Sequence, residues 1–157
     1  MNDCKETIAR HPCFQNMKPE HLEILAKSTK EIEFEPEQIV FSEGEPANGL
    51  YLIQSGRIAL EAHETTAETV LVQDIGPGGV LGWSWLFAPF VWHFRARAVE
   101  PTQAIVLNGA HLLIAAERNH EFGYELMKRV AQVAIQRLQA TRKVLMPDKV
   151  EAAGSVK

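Results

Sequence analysis

The chain has 157 residues, of which 46% are hydrophobic and 23% are charged, and its formal net charge is -4 at pH 7. This composition is ordinary for a soluble globular protein, and the length suits one domain, or one domain with a long helix. The negative charge excludes a dominant nucleic-acid backbone partner, which needs a basic face, but leaves a local basic patch open.

The N-terminal residues carry no targeting or metal-binding pattern. Residues 1–7 are charged and lack the apolar core of a signal peptide, which indicates a cytoplasmic location. Cys4 and Cys13 do not form a metal or iron–sulfur spacing, so no metal is expected. They are interpreted as free thiols near a mobile N-terminus, with a redox role as the alternative.

Helical patterns open the chain. Residues 7–12 predict a short helical turn, and residues 18–27 predict a firmer helix with Pro19 in its first turn and Leu22 and Leu25 on one face. From Glu31 the pattern changes to alternating charged and apolar side chains, which is the period of a half-buried strand.

Most of the chain up to Asn108 reads as short strands separated by turns. The strands are expected at residues 31–35, 38–42, 50–54, 57–61, 69–75, 96–99 and 102–107. Ser55 and Gly56 form a two-residue connection typical of a tight hairpin. This spacing favours a barrel, a sandwich or a roll over alternating βαβ units.

The most unusual stretch is residues 76–97, which holds all three tryptophans and four of the ten glycines. Within it, residues 80–94 are mainly aliphatic and aromatic but are interrupted by Gly82, Pro89 and His93, among others. A membrane helix needs about 20 mostly apolar residues, so no membrane association is expected. The stretch must therefore be buried or must cover something.

The period becomes helical again after Asn108, with helices expected at residues 110–118 and 121–145. The long helix carries a coiled-coil-like seam at alternating spacings of three and four, formed by Tyr124, Met127, Ala131, Ala134, Leu138, Thr141 and Leu145. A second stripe consists of Leu126, Val130 and Val133. The two stripes predict one contact with the chain's own β body and one with a second copy, giving a homodimer. The alternative is that both stripes face the intrachain core. Residues 148–157 are expected to be a flexible tail.

Residues 40–60, VFSEGEPANGLYLIQSGRIAL, provide the most specific motif. Here Gly44 and Gly56 lie at turn positions, and Tyr51-Leu52-Ile53 lies at a buried strand, of the cyclic nucleotide-binding domain family. The chain resembles, over residues 14–145, the effector domain of catabolite-activator and Fnr-type bacterial regulators. The resemblance implies an α+β fold: an antiparallel, jelly-roll-like β-roll of about eight strands with short N-terminal helices and a long C-terminal helix. It places one domain at residues 1–147, with the β-roll at about 30–108 and the C-terminal helices at about 110–146.

Residues 78–82, Gly-Gly-Val-Leu-Gly, resemble the entry to that family's phosphate-binding cassette, whose exposed N–H groups receive the cyclic phosphate. Family members that bind cyclic nucleotides usually carry a Glu for the ribose and an Arg for the phosphate. Trp83 stands at the Glu position, and the Arg position falls near Trp92. A phosphate buried without that cation loses a bond worth about 1.5–3 kcal/mol, so the usual binding pose of cAMP or cGMP is not expected.

The candidate ligand pocket consists of Gly82, Trp83, Ser84, Trp85, Trp92, His93 and Arg95. Either the indoles fill this pocket as core, or they line it as stacking surfaces for a flat or apolar ligand. Arg95 and Arg97 share a strand face, which is either solvent-exposed or, after a small register change, directed at the pocket. His93 is interpreted as structural because no second metal ligand stands at a recognisable spacing.

These patterns predict a non-enzymatic regulatory or sensor domain without a cofactor, open to a small-molecule effector. The regulators that the chain resembles continue into a helix-turn-helix domain, and residues 147–157 are too few to form one, so no direct DNA binding is expected. The chain is thus interpreted as a stand-alone sensor. The alternative is a Crp/Fnr-type transcription regulator, or its truncated effector domain, that binds a cyclic nucleotide or another small ligand and signals through the dimer helix.

Overall fold

The computed structural model describes residues 2–63 and 69–145, with side chains at residues 5–62 and 69–143. Its elements in chain order are α1 (Asn2–Arg10), a 3-10 helix (Pro12–Phe14), α2 (Pro19–Ala26), β1 (Thr29–Phe34), β2 (Ile39–Phe41), β3 (Gly49–Ser55), β4 (Ile58–His63), β5 (Thr69–Ile75), β6 (Val80–Leu81), a second 3-10 helix (Ser84–Leu86), β7 (Arg95–Ala98), β8 (Thr102–Asn108), α3 (Gly109–Arg118) and α4 (His120–Leu145). The predicted tail at residues 148–157 lies outside the described residues.

The strands form two four-stranded sheets in which every pairing is antiparallel. The strand orders are β1-β8-β3-β6 and β2-β7-β4-β5. With the N-terminal helices and the long α4, this arrangement confirms the predicted α+β fold with an antiparallel β-roll.

The element boundaries follow the sequence predictions closely, except where an element is very short or begins early. β5 coincides with the predicted residues 69–75, and β8 extends the predicted strand by one residue. The sequence pattern does not predict β6, because two residues are too few to show an alternation. The predicted turn at residues 7–12 is wrong in its bounds, because α1 already begins at Asn2 and Pro12 starts a separate 3-10 helix.

The predicted hairpin at Ser55 and Gly56 is wrong. β3 pairs with β8 and β6, whereas β4 pairs with β5 and β7, so this turn carries the chain from one sheet to the other. Gly56 has a φ of +94°, and a Cβ there would lie 2.4 Å from the carbonyl oxygen of Pro101. The backbone N–H of Arg57 donates to Oγ1 of Thr102 at 3.2 Å, which ties the turn to β8.

Two hydrophobic clusters share the strand β3, whose successive side chains point in opposite directions. Leu50 and Leu52 face the helical core, between the roll and the helices, while Tyr51 and Ile53 face the roll core, between the two sheets. Burial on both faces explains why this strand reads as a continuous apolar run. The cassette between β6 and β7 contributes a tryptophan to each core.

Candidate functional site

The cassette backbone is formed by a left-handed glycine followed by one short turn of helix. Gly82 follows β6 with a φ of +100° and precedes the Ser84–Leu86 helix. A Cβ on Gly82 would lie 2.8 Å from the ring of Trp92 and 2.9 Å from the carbonyl oxygen of Gly49. Glycine is therefore required at this position both for its backbone conformation and for the close approach of the indole.

Trp92 lies inside the roll and not at its surface. Its side chain is part of the roll core, it is 3% exposed, and it stacks on Phe41 with ring centroids 3.8 Å apart and an interplanar angle of 9°. Its backbone N–H donates to the carbonyl oxygen of Glu45, and its own carbonyl accepts from Gly44, both at 2.9 Å. Both the ring and the backbone are thus fixed in place.

Trp85 belongs to the helical core instead. Its side chain is 2% exposed, and its Nε1 donates to the carbonyl oxygen of Gly82 at 3.3 Å. A Cβ on Gly109, the first residue of α3, would lie 2.8 Å from Cβ of Trp85, so this second glycine admits the tryptophan beneath the helix. The interpretation of the tryptophans as core residues agrees with the placement of Trp85 and Trp92.

Trp83, Ser84 and His93 form a third group, in which only His93 is exposed and Trp83 also packs against the helical core. The half-buried Trp83 indole stacks on the exposed His93 ring, with centroids 5.2 Å apart and an interplanar angle of 15°. The hydroxyl of the buried Ser84 lies 3.0 Å from Nδ1 of His93. These contacts give His93 a structural partner on each side. The predicted pocket is thus divided into two groups: these three residues lie together, and Gly82 lies against both Trp85 and Trp92.

Arg95 does not join the pocket. It lies on the outer face of β7, whereas its neighbour Ala96 points into the roll core. Arg95 and Arg97 both contact one carboxylate, that of Glu61 on β4, at 2.8 Å and 3.0 Å, which confirms that the two arginines share a face. Arg97 also contacts Glu37 at 3.1 Å. Both arginines are half-buried ion-pair partners, so neither is a free cation for a ligand inside the roll.

The Glu61 carboxylate is the centre of this ion-pair cluster. Its residue is only 7% exposed. Burial alone would raise the pKa of Glu61, but hydrogen bonds from Arg97 and Arg95, together with their charges, hold it below its ordinary value of 4.5. The glutamate therefore stays ionised at neutral pH and holds the two arginines on the outside of the sheet.

The two apolar stripes of α4 face in different directions, as the spacing predicts. Leu126, Val130 and Val133 are buried, the first two within the helical core. On the seam, Tyr124 is 63% and Leu138 is 69% exposed. Of the remaining seam residues, Met127 and Ala131 are exposed, Ala134 and Thr141 are half-buried, and the side chain of Leu145 lies outside the described part. Contacts within the described chain thus leave much of the seam exposed.

Arg137 is a buried residue that the sequence interpretation misses. It is 5% exposed, its Nη2 donates to the carbonyl oxygen of Val80 at 2.6 Å, and its Nη1 donates to Oε1 of Gln73. Burial lowers the pKa of this guanidinium to about 10. The signal was present in the spacing, because Arg137 continues the buried stripe four residues after Val133.

Neither a metal-binding cluster nor a membrane-spanning helix is found in the part of the chain that the structure describes. Residues 2–63 and 69–145 contain no group of three or more His, Cys, Asp or Glu side chains placed to hold a metal ion. Among the same residues, no helix has both the length and the hydropathy needed to cross a bilayer.

Cys13, in the Pro12–Phe14 helix, is a half-buried free thiol, and burial raises its pKa to about 11.

Solved structures of the cyclic nucleotide-binding class share the two-sheet roll of this chain. The structure superposes on a Geobacter metallireducens protein assigned to the cyclic nucleotide-binding class with a TM-score of 0.75 and 29% identity, covering 85% of this chain and 97% of that one. It also superposes on a regulatory subunit of a cAMP-independent protein kinase A from Trypanosoma cruzi, bound to guanosine, with a TM-score of 0.70 and 18% identity, covering 98% and 52%.

Residues 31–119 match the family model of the cyclic nucleotide-binding domain, and the chain belongs to that family. A CRP-like cAMP-activated global transcriptional regulator of Mycobacterium tuberculosis is 25% identical over 127 residues. That match covers 81% of this chain but only 57% of the relative, so the chain spans less than two thirds of the regulator's length. The sequence match and the fold therefore agree on the family.

Proposed function

We propose that this chain is a non-enzymatic regulatory domain whose cassette does not bind cAMP or cGMP in the usual pose of its family. The observation that carries the proposal is the position of Trp92. Its indole is buried in the roll core and stacked on Phe41, where the resemblance places a cation for the phosphate. The nearest candidate replacement, Arg95, is held by Glu61 on the outer face of the sheet.

The estimated energies favour a site filled by the Trp92 indole over a site opened for a nucleotide. A ligand that expels Trp92 from the core forfeits a burial energy on the order of 3–5 kcal/mol, the usual cost of removing a buried Trp. Without an arginine it also lacks a charge-assisted bond worth about 1.5–3 kcal/mol. Since each 1.4 kcal/mol is about tenfold in affinity, these terms together weaken a micromolar ligand to the millimolar range or beyond.

Regulation without a cyclic nucleotide is compatible with the fold. The Trypanosoma cruzi relative is a cAMP-independent regulatory subunit and was found bound to guanosine. At 18% identity this likeness shows only that the fold is shared, so the ligand of our chain has to be argued from its own residues.

We assign the output of the domain to α4, in the cytoplasm and without direct DNA contact. The exposed seam from Tyr124 to Leu138 suits a second copy of the chain, packed helix against helix as in a coiled coil. A change in the packing of the helix would then carry the signal to a protein partner. The homodimer is thus part of the proposal.

Calorimetric titration of the whole chain with cAMP and with cGMP tests the proposal. We expect no saturable heat at ligand concentrations up to about 1 mM. A double variant, Trp83→Glu with Trp92→Arg, restores the two polar groups of the resemblance and should gain affinity over Trp92→Ala, which only opens space. Low-micromolar binding by the unaltered chain would overturn the proposal.

The match to a CRP-like regulator supports a second candidate, in which the chain is the effector portion of a transcription regulator. Retention of the chain on a non-specific DNA column, lost steeply as salt is added, would support direct DNA binding. We expect no retention at low salt, because the net charge of the chain is -4.

A further inference from the structure

A cleft of about 370 Å³ opens between α4, the loop of residues 76–79 and the Pro12–Phe14 helix, and we call it the Arg137 cleft. Arg129 and Arg137, about two turns apart on α4, both line it. The cleft shares Gly78, Gly79 and Val80 with the cassette entry, but none of the seven residues of the candidate ligand pocket lines it, so it is a different site.

The charges in the Arg137 cleft are not balanced. Both hydrogen-bond acceptors of Arg137 are neutral, the amide oxygen of Gln73 and the carbonyl oxygen of Val80, and among the described side chains no carboxylate forms an ion pair with it. The one acidic residue lining the cleft, Asp74, lies 3.9 Å from Arg57, a cation outside the cleft. A buried guanidinium without a counter-charge is costly, and a bound anion would offset that cost.

Arg129 adds a second, partly engaged cation. Its Nη1 donates to the carbonyl oxygen of Cys13 at 2.8 Å, and its Nη2 lies 3.8 Å from Glu125. Its Nε is buried and has no hydrogen-bond partner in the described structure. Arg129 therefore has unused donor capacity where the cleft is walled by the Pro12–Phe14 helix.

We propose that the Arg137 cleft binds a small organic oxyanion, either a phosphate ester or a carboxylate. Guanidinium groups present paired N–H donors that match both kinds of anion. Gln73, Gln132 and Gln136 line the same cleft and supply neutral donors and acceptors for the rest of the ligand. The volume lies within the usual range of about 300–1,000 Å³ for small-molecule sites.

An NMR titration of the uniformly ¹⁵N-labelled whole chain tests the proposal, with inorganic phosphate and citrate as probes at constant ionic strength. We expect saturable shifts confined to the amides of Gly76, Gly78, Gly79, Gln132 and Gln136. A response to phosphate alone assigns a phosphate ester, and a response to citrate alone assigns a carboxylate. Shifts that do not saturate, or that chloride reproduces, would overturn the site. Shifts centred on Gly82 would instead place the anion in the cassette.

A pair of α4 variants provides the matched control. Arg129→Gln should weaken the binding of the responding probe by about tenfold or more, since it removes one charged donor. Lys128→Gln removes the same charge from the exposed side of the same helix and should leave binding unchanged. Equal weakening in both variants would show a general charge effect and contradict the site. If Arg129→Gln does not fold, the wild-type titration still decides. Cyclic nucleotide binding is measured separately, so the failure of one proposal leaves the other intact.

Discussion

The interior of the roll beside Gly82 and the Arg137 cleft both adjoin β6, but their side chains differ in chemistry. Inside the roll, the Trp92 indole is stacked on Phe41, and the nearby cations Arg95 and Arg97 are paired with Glu61 on the outer face. In the Arg137 cleft, the hydrogen-bond partners of a buried cation within the described part of the chain are neutral, and open space lies beside it. The comparison shows apolar packing at the first site and a buried cation without a charged partner among the described side chains at the second, which is why we propose ligand binding at the second and not at the first.

The largest loss of stability is expected when the Trp92 ring, which fills the roll, is removed. Trp92→Ala should lower the free energy of unfolding by about 3–5 kcal/mol, because it leaves a cavity in a close-packed core. Urea denaturation measures the loss. Trp83→Ala is the control, since that ring is only half-buried at the edge of the helical core and should cost less, about 1 kcal/mol. Equal losses would show that Trp92 is not a core residue.

A smaller loss of stability is expected when the ion pairs that hold Arg95 and Arg97 outside the roll are disturbed. Glu61→Gln should cost about 1–3 kcal/mol, because two half-buried guanidinium groups lose their shared carboxylate. Glu37 is exposed and contacts only Arg97, so Glu37→Gln should change the free energy of unfolding by less than about 0.5 kcal/mol. A negligible effect of Glu61→Gln would contradict the structural role of this cluster.

The Glu61 pair also has a defined pH dependence. Since the folded state holds the pKa of Glu61 below 4.5, its contribution is fully present above pH 4.5 and is lost as the pH falls through the lowered pKa. Stability measured between pH 6 and pH 3 should therefore fall less steeply in Glu61→Gln than in the wild type. An unchanged slope would mean that Glu61 is not the residue that titrates.

A smaller effect is expected at the wall of the Arg137 cleft. His11 is buried just before Pro12, its Nδ1 accepts from the N–H of Cys13, and burial lowers its pKa below 6.5. The unfolded chain therefore binds a proton first, so stability is full above pH 6.5 and falls as the pH drops through the lowered pKa. His11→Asn keeps a capping acceptor and should flatten this loss, whereas His111→Asn, at an exposed position, should not.

The smallest effect on folding, but a decisive one on assembly, is expected along the seam. Leu138→Glu should leave the free energy of unfolding of the monomer almost unchanged, because the side chain is 69% exposed. Light scattering should nevertheless show that the proposed dimer dissociates into monomers. Ile114→Glu, at a 50% exposed position on α3, is the matched control and should remain dimeric. A Leu138→Glu dimer would remove the seam from the interface.

Local patterns predict the elements well but not how the strands associate. The alternation at residues 69–75 is visible in the sequence and defines β5, whereas the sheet change at Ser55 and Gly56 depends on contacts with Thr102, which is distant in sequence. The same limit applies to Arg95. Its face relative to Arg97 follows from strand parity, but the side of the roll that this face occupies depends on the pairing with Glu61.

The candidate site shows a similar division. The glycine-rich turn and the two displaced polar positions are visible through the family resemblance, which directs attention to Trp83 and Trp92. Whether an indole fills a pocket or lines it depends on its neighbours, and the stack on Phe41 becomes visible only when β2 and the cassette are brought together. Arg137 is missed because a charged residue on a buried helical stripe is read as a break in the pattern.

In the proposed function, the Trp92 indole occupies the phosphate position of the cassette. A crystal structure of the whole chain, grown or soaked with millimolar cAMP, tests this most directly. The Trp92 indole should remain stacked on Phe41, and no nucleotide density should lie beside Gly82. A phosphate in contact with the cassette backbone, with the indole displaced from the roll core, would contradict it.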